Sequence, residues 1–269
     1  MKDLPKRIIT SALLICFIIA TIFIFPSWFF CCIVSLFIGF GLYEFFGMVE
    51  KKGIFVYRYF GTIAGVLVPV IIYLKYGGFV PDLEPFLLVL VSLFVFVLQL
   101  TRRDKSQALT GIAVTVLGLL YISWFFSFLI RLKYLPGGAY LVSYLLLVTK
   151  VGDMGAYVVG SSIGKHSLIP RISPHKTIEG TIGGVVCSVA TSLASWRLLP
   201  HSSFAQLFLV GLLLGVLCQV GDLSESLIKR DCNVKDAANY LPGLGGVLDI
   251  IDSLLFTVPI FYFYARMFL

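Results

Sequence analysis

Residues 222–252 hold six of the chain's fourteen acids, with Lys229, Arg230 and Lys235 among them, and apolar runs stand on both sides. Asp222, Ser226 and Lys229 are spaced i, i+4 and i+7, with Glu225 beside them, so they share one face of a helix. Lys235 and Asp236 follow, and then LPGLGG at 241–246, a turn whose glycines let backbone approach a ligand closely. Asp249 and Asp252, three apart, open the next apolar run and point to one side. Two acidic helices meeting at a glycine-rich turn offer the oxygen donors that Mg²⁺ takes, and that ion usually brings substrate phosphates with it. The neighbouring Lys and Arg side chains would neutralise the remaining phosphate charge. A salt-bridged loop accounts for the basic residues. It does not account for two carboxylates at the head of LLFTVPIFYFY, because ionisable groups at membrane depth are costly.

Two earlier segments carry further polar groups. In KVGDMGAY (150–157), Lys150 and Asp153 lie three apart and can pair on one helical face, with Tyr157 a turn further on. The segment GSSIGKHSLIPRISPHKTIEGTIGG (160–184) has a glycine-lysine pair but not the spacing of a phosphate-binding loop. Position 159 is Val where that motif needs Gly, and 166 is His where it needs Ser or Thr. Ser173-Pro174 has the chemistry of a helix cap and first turn. Lys176 and Thr177 would then sit near a helix N-terminus, a place suited to an anion.

The elements that must position these groups are helices in lipid. Of the 269 residues, 59% are hydrophobic and 13% charged, against about a quarter charged in soluble domains. A spanning helix needs roughly 20 apolar residues. About nine candidate spans follow from that length, near 8–25, 27–46, 56–74, 85–100, 109–130, 139–160, 178–198, 204–221 and 246–267. The expectation is an all-α polytopic membrane protein whose first apolar run is retained as a helix. With the N-terminus inside, fifteen Lys and Arg fall on the inner side and five on the outer, so a cytoplasmic N-terminus is expected. The net charge of +7 is then mostly a topology signal and not a nucleic-acid footprint. The charged stretch falls on the cytoplasmic side, where nucleotides are. Residues 1–138 read as a helical anchor, and 139–269 as the region that carries the chemistry. The six cysteines form no CxxC pair and no Cys/His cluster, which argues against zinc.

The run S-L-I-K-R-x4-K-D-x-A-x2-L-P-G-x-G-G-V-L-D-x-I-D at 226–252 resembles the signature of the phosphatidate cytidylyltransferases, or CDP-diacylglycerol synthases. D-x-G-A-Y at 153–157 and S-P-x-K-T-x-E-G at 173–180 are similar to that family's pattern as well. The resemblance departs at Leu244, where the family has His, and at Ile250, where it has Arg. It implies transfer of the cytidylyl group of CTP to phosphatidate, giving CDP-diacylglycerol and pyrophosphate. It further implies that Asp222 and Asp249 hold Mg²⁺, with K⁺ as companion, and that the protein is a homodimer in the cell membrane. Asp222, Asp249, Lys229, Asp236 and Asp252 are the expected catalytic residues. Ser226, Arg230, Lys235, Lys176 and Asp153 are the expected substrate-binding residues.

Three other readings compete. A CTP-dependent lipid kinase would use the same nucleotide but release CDP. CDP-alcohol phosphotransferases have a D-x3-D pair, whereas the last pair here is D-x2-D. A cation-coupled transporter would place ionisable residues near the bilayer midplane in two corresponding halves. This chain gathers them in its C-terminal half.

Overall fold

The computed structural model describes residues 16–102, 106–200, 202–238 and 245–269. The first part of the first expected span (8–15), the basic residues before it, and Leu244 with the first part of its turn lie outside the described residues. Helical backbone at 16–23 leads into α1 (Ser27–Lys51), α2 (Arg58–Tyr76) and α3 (Glu84–Leu100). Then come α4 (Ala108–Lys133), which contains a π-helical turn at Leu119–Trp124, and α5 (Gly138–Ile163). A short hairpin of β1 (Ser167–Ile169) and β2 (Ser173–Thr177) precedes α6 (Ile178–Ala194), α7 (Phe204–Asp231) and α8 (Val247–Phe268).

Among the described residues six helices (α1, α2, α4, α5, α7 and α8) are long and apolar enough to cross a membrane. The expected spans at 85–100 and 178–198 form the shorter apolar helices α3 and α6. Among the described residues the architecture is helical apart from the antiparallel hairpin, which pairs Ser167 with Thr177 and Ile169 with Ser173.

One local expectation is corrected. Ser173 and Pro174 do not begin a helix; they belong to β2. The cap is Thr177, which has extended backbone and whose hydroxyl accepts the Gly180 N–H at 3.1 Å. A proline is tolerated in a two-stranded ribbon because both of its strands are edges. Glu179, in the first turn of α6, accepts the Lys165 and His166 N–H groups at 3.1 and 3.2 Å and meets His166 Nδ1 at 2.6 Å. The hairpin is thereby tied to the start of α6, with Lys176 one residue before the cap.

The helices that carry the polar segments pack together: α5 along α6, α6 along α7, and α7 along α8. Small residues permit this, as they do generally between helices in lipid. A Cβ on Gly152 of α5 would lie 2.2 Å from the Ser188 hydroxyl of α6. A Cβ on Gly221 of α7 would lie 2.6 Å from the Asp252 carbonyl oxygen of α8. The second approach brings α7 and α8 into backbone contact beside Asp222 and Asp252.

Candidate active site

Because Gly221 lets α7 and α8 touch, Asp222 and Glu225 of α7 converge with Asp252 of α8, each offering a carboxylate oxygen within 4.8 Å of the others. Glu225 is 0% exposed. Its Oε2 forms an ion pair with Lys229, while its Oε1 is buried without a hydrogen-bond partner. Buried acceptors in folded proteins are almost always satisfied. Three oxygen donors around an unsatisfied buried carboxylate oxygen are the donor chemistry of a hard divalent cation such as Mg²⁺, so the residues present fit such an ion.

Lysines from three directions offset these acids. Lys176, arriving on β2, places Nζ 2.6 Å from Asp222 and 3.5 Å from the Ser226 hydroxyl. Lys229 bridges α7 and α8, facing Glu225 on one side and Asp249 at 2.6 Å on the other. Lys150 of α5 pairs with Asp153 at 2.9 Å, as its spacing predicts, and also donates to the Ile250 carbonyl at 2.9 Å and to the Ser253 hydroxyl at 3.0 Å. Asp153 further accepts from the Ser253 hydroxyl at 2.9 Å and the Cys218 thiol at 2.7 Å. Ile250 has no charge to offer, and the cation at that turn of α8 is Lys150.

Asp249 stands outside the group of three. Its Oδ2 accepts the Gly246 N–H at 2.7 Å and the Ala237 N–H at 3.3 Å, and its Oδ1 faces Lys229. It therefore closes the start of α8 and still lines the cleft. Arg230 is exposed and turned away, donating to the Ile172 carbonyl at 3.1 Å and the Val234 carbonyl at 3.3 Å. Lys235 and Asp236 are exposed beyond the end of α7 and do not line the cleft.

The cleft has a volume of about 670 Å³ and opens between α5, β2, α6, α7 and α8. Lys150, Asp153, Lys176, Asp222, Asp249 and Asp252 are on its wall. Tyr157, His175 and Ser161 line it too, and Tyr157 is 76% exposed. Such a space accommodates a nucleotide-sized ligand. Carboxylates, lysines and a helix N-terminus at Thr177 together make it suited to a polyphosphate bound with a metal ion.

Two contributors are hard to identify from spacing alone. Glu225 stands out only once α7 and α8 are docked, since one residue's rotation on the helix decides whether it faces Asp252. Glu44 comes from α1 and is 3% exposed. Its two oxygens accept the Val247 and Leu248 N–H groups at 2.9 and 2.8 Å. These are first-turn donors of α8 that have no partner within the helix. A buried acid near the end of an otherwise apolar α1 is the sequence signal for such a role, but the signal does not name the partner.

Comparison with known proteins agrees with this picture. A profile described as the cytidylyltransferase family matches residues 5–268. The phosphatidate cytidylyltransferase of Bacillus subtilis (strain 168) is 39% identical over 184 residues, 66% of this chain and 68% of that protein. That of Staphylococcus aureus (strain COL) is 36% identical over 173 residues, 64% of this chain and 66% of that protein. Uncharacterized protein YnbB of Escherichia coli (strain K12) is 40% identical over 161 residues, 60% of this chain and 53% of that protein. The chain thus spans between 53 and 68% of the length of these relatives.

Proposed function

The chain belongs to the cytidylyltransferase family, and from that premise we propose that it transfers the cytidylyl group of CTP to phosphatidate, forming CDP-diacylglycerol and pyrophosphate. The observation that carries the reading is the cluster of Asp222, Glu225 and Asp252, of which Asp222 and Asp252 stand on the wall of a lysine-lined cleft in an apolar helical protein. The relatives named as phosphatidate cytidylyltransferases support the same substrates.

In this reading Asp222, Glu225 and Asp252 hold Mg²⁺, and Asp249 stands beside them through Lys229. When bound, the ion supplies positive charge to the triphosphate oxygens and to the departing pyrophosphate. K⁺ is the companion cation that the family resemblance implies. The chain's own residues position the substrates. Lys176 and Ser226 receive phosphate oxygens from the hairpin side, and Lys150 with Asp153 orders the opposite wall. The helix start at Thr177 adds its N–H groups. Arg230, Lys235 and Asp236 stand away from the cleft wall, and their proposed part is in ordering the segment between α7 and α8.

The lipid phosphate is already an anion, so no general base is required. One of its oxygens bonds to the α-phosphorus of CTP, and the bond from that phosphorus to the β-phosphate oxygen breaks. Catalysis is then chiefly positioning and charge compensation in a partly dry site. The lipid enters sideways between helices, leaving its acyl chains in the bilayer. We place the cleft on the cytoplasmic side, on the distribution of Lys and Arg, and expect a homodimer on the family resemblance.

The test is transfer of cytidine-labelled CTP into the organic phase with phosphatidate present and Mg²⁺ varied. Label in lipid with equimolar pyrophosphate supports the proposal. CDP as the sole nucleotide product, with phosphate in the lipid, would replace it by a lipid kinase.

A further inference from the structure

The Lys150 ammonium has three donors, and each has an acceptor. Asp153 lies on its own helix at 2.9 Å, and the Ile250 carbonyl and Ser253 hydroxyl lie on α8 at 2.9 and 3.0 Å. The two contacts on α8 fall on either side of Asp252 in the chain. Ile250 carries no charge, so the cation at this turn of α8 reaches it from another helix. Ser253 is fully buried. Its hydroxyl passes the contact on to Asp153 at 2.9 Å, and its backbone N–H donates to the Asp252 carboxylate at 2.5 Å.

Asp153 extends the network to α7. Its other oxygen accepts the Cys218 thiol at 2.7 Å, and Cys218 is buried one helical turn before Asp222. A single Lys–Asp pair on α5 thus holds α7 one turn from Asp222 and α8 on both sides of Asp252. These are the two helices that bring the Asp222 and Asp252 carboxylate oxygens within 4.8 Å of each other. Mg²⁺ demands near-ideal octahedral geometry, with ligands at about 2.0–2.1 Å. A small slip of α8 against α7 would spoil such a site.

We propose that Lys150 is a positioning residue of the cation site, setting the separation of the Asp222 and Asp252 carboxylates through its three contacts. The inference rests on the cation reading given above and sharpens the part of Lys150 in it. With all three donors engaged inside the protein, Lys150 acts through α8 and not by gripping a phosphate. Positioning and bare charge predict opposite signs. A lysine near a cation repels it, so loss of the charge alone would tighten binding. Loss of the three contacts loosens it.

The test uses the full chain in detergent micelles with Mn²⁺ as probe, titrated by electron paramagnetic resonance. Wild type, Lys150→Met, Ser253→Ala, the double variant and Asp222→Asn are compared, each with a thermal unfolding curve in the absence of metal. Lys150→Met should weaken Mn²⁺ binding by about tenfold, as loss of an outer partner of a metal site does. Ser253→Ala, which removes one of the three acceptors, should weaken it less, and the double variant should bind no worse than Lys150→Met alone. Equal or tighter binding by Lys150→Met overturns the proposal, and a lowered metal-free midpoint would then mark a purely structural clasp. Fully additive losses overturn it as well, because the two side chains would be acting separately. Should Lys150→Met not fold, Ser253→Ala decides, and wild-type affinity in that variant overturns the proposal. Wild-type binding that does not depend on Asp222 overturns the cation site itself, and with it this inference.

Discussion

Asp249 illustrates how one carboxylate can serve two purposes. It caps the start of α8 through Gly246 and faces Lys229 in the cleft. Asp249→Asn keeps an oxygen for the Gly246 N–H but removes the charge. The expected outcome is a loss of turnover of about a hundredfold or more, with unfolding free energy changed by about 1 kcal/mol. Near-normal turnover in the cytidylyl-transfer assay would remove Asp249 from the chemistry. Glu225 behaves differently, because in the metal-free protein it is buried among like charges. Glu225→Gln should raise the metal-free thermal midpoint and abolish the further rise that Mg²⁺ produces. Thermal unfolding with and without Mg²⁺ measures both effects. A lower metal-free midpoint would mean that the ion pair with Lys229 outweighs the repulsion.

At the scale of elements, α8 is started by α1. The N–H groups of Val247 and Leu248 have Glu44 as their acceptor, 203 and 204 residues away in sequence. Gly246 fits because a Cβ there would lie 2.6 Å from a Glu44 oxygen. Glu44→Ala leaves buried donors unpaired and should cost about 2 kcal/mol or more. Hydrogen exchange should speed up at Val247 and Leu248 before it does elsewhere in α8. Unchanged protection there would show that α8 starts without Glu44. The hairpin is tied down in a comparable way, with Glu179 of α6 gripping the backbone at Lys165 and His166. Lys176 thereby reaches Asp222 from a short ribbon rather than from a long flexible loop.

Across the whole molecule, apolar helices present polar chemistry at one end of the bundle. The ion pair between Lys52 and Asp231, at 2.5 Å, joins the ends of α1 and α7 at that end. Glu84 meets Arg131 and the Trp124 indole in a separate cluster. Arg171, beside the hairpin, should lie in the cytoplasm. An Arg171→Cys variant in a background lacking the six native cysteines should react with a membrane-impermeant maleimide in inverted vesicles and not in intact cells. The reverse pattern would invert the topology.

Local chemistry was readable along the chain. Apolar runs of sufficient length must lie in lipid, so most described helices begin and end within a few residues of the expected spans, while α7 continues past the expected end at 221 to Asp231. A charge at membrane depth demands a partner, which is why residues 150–157 and 222–252 stand out before any folding is considered. The Lys150–Asp153 pair follows from helical spacing alone. Helical periodicity says which residues share a face but not which face meets which. Sequence therefore left Glu225 as a bystander beside Asp222. The family resemblance implied Asp249 as partner for Asp222; in the packed structure an Asp252 oxygen also comes close to Asp222, while Asp249 faces Lys229. Sequence could not match Glu44 to the head of α8. Those pairings depend on how closely backbones approach and on the rotation of each helix about its axis, and only the packed tertiary structure decides them.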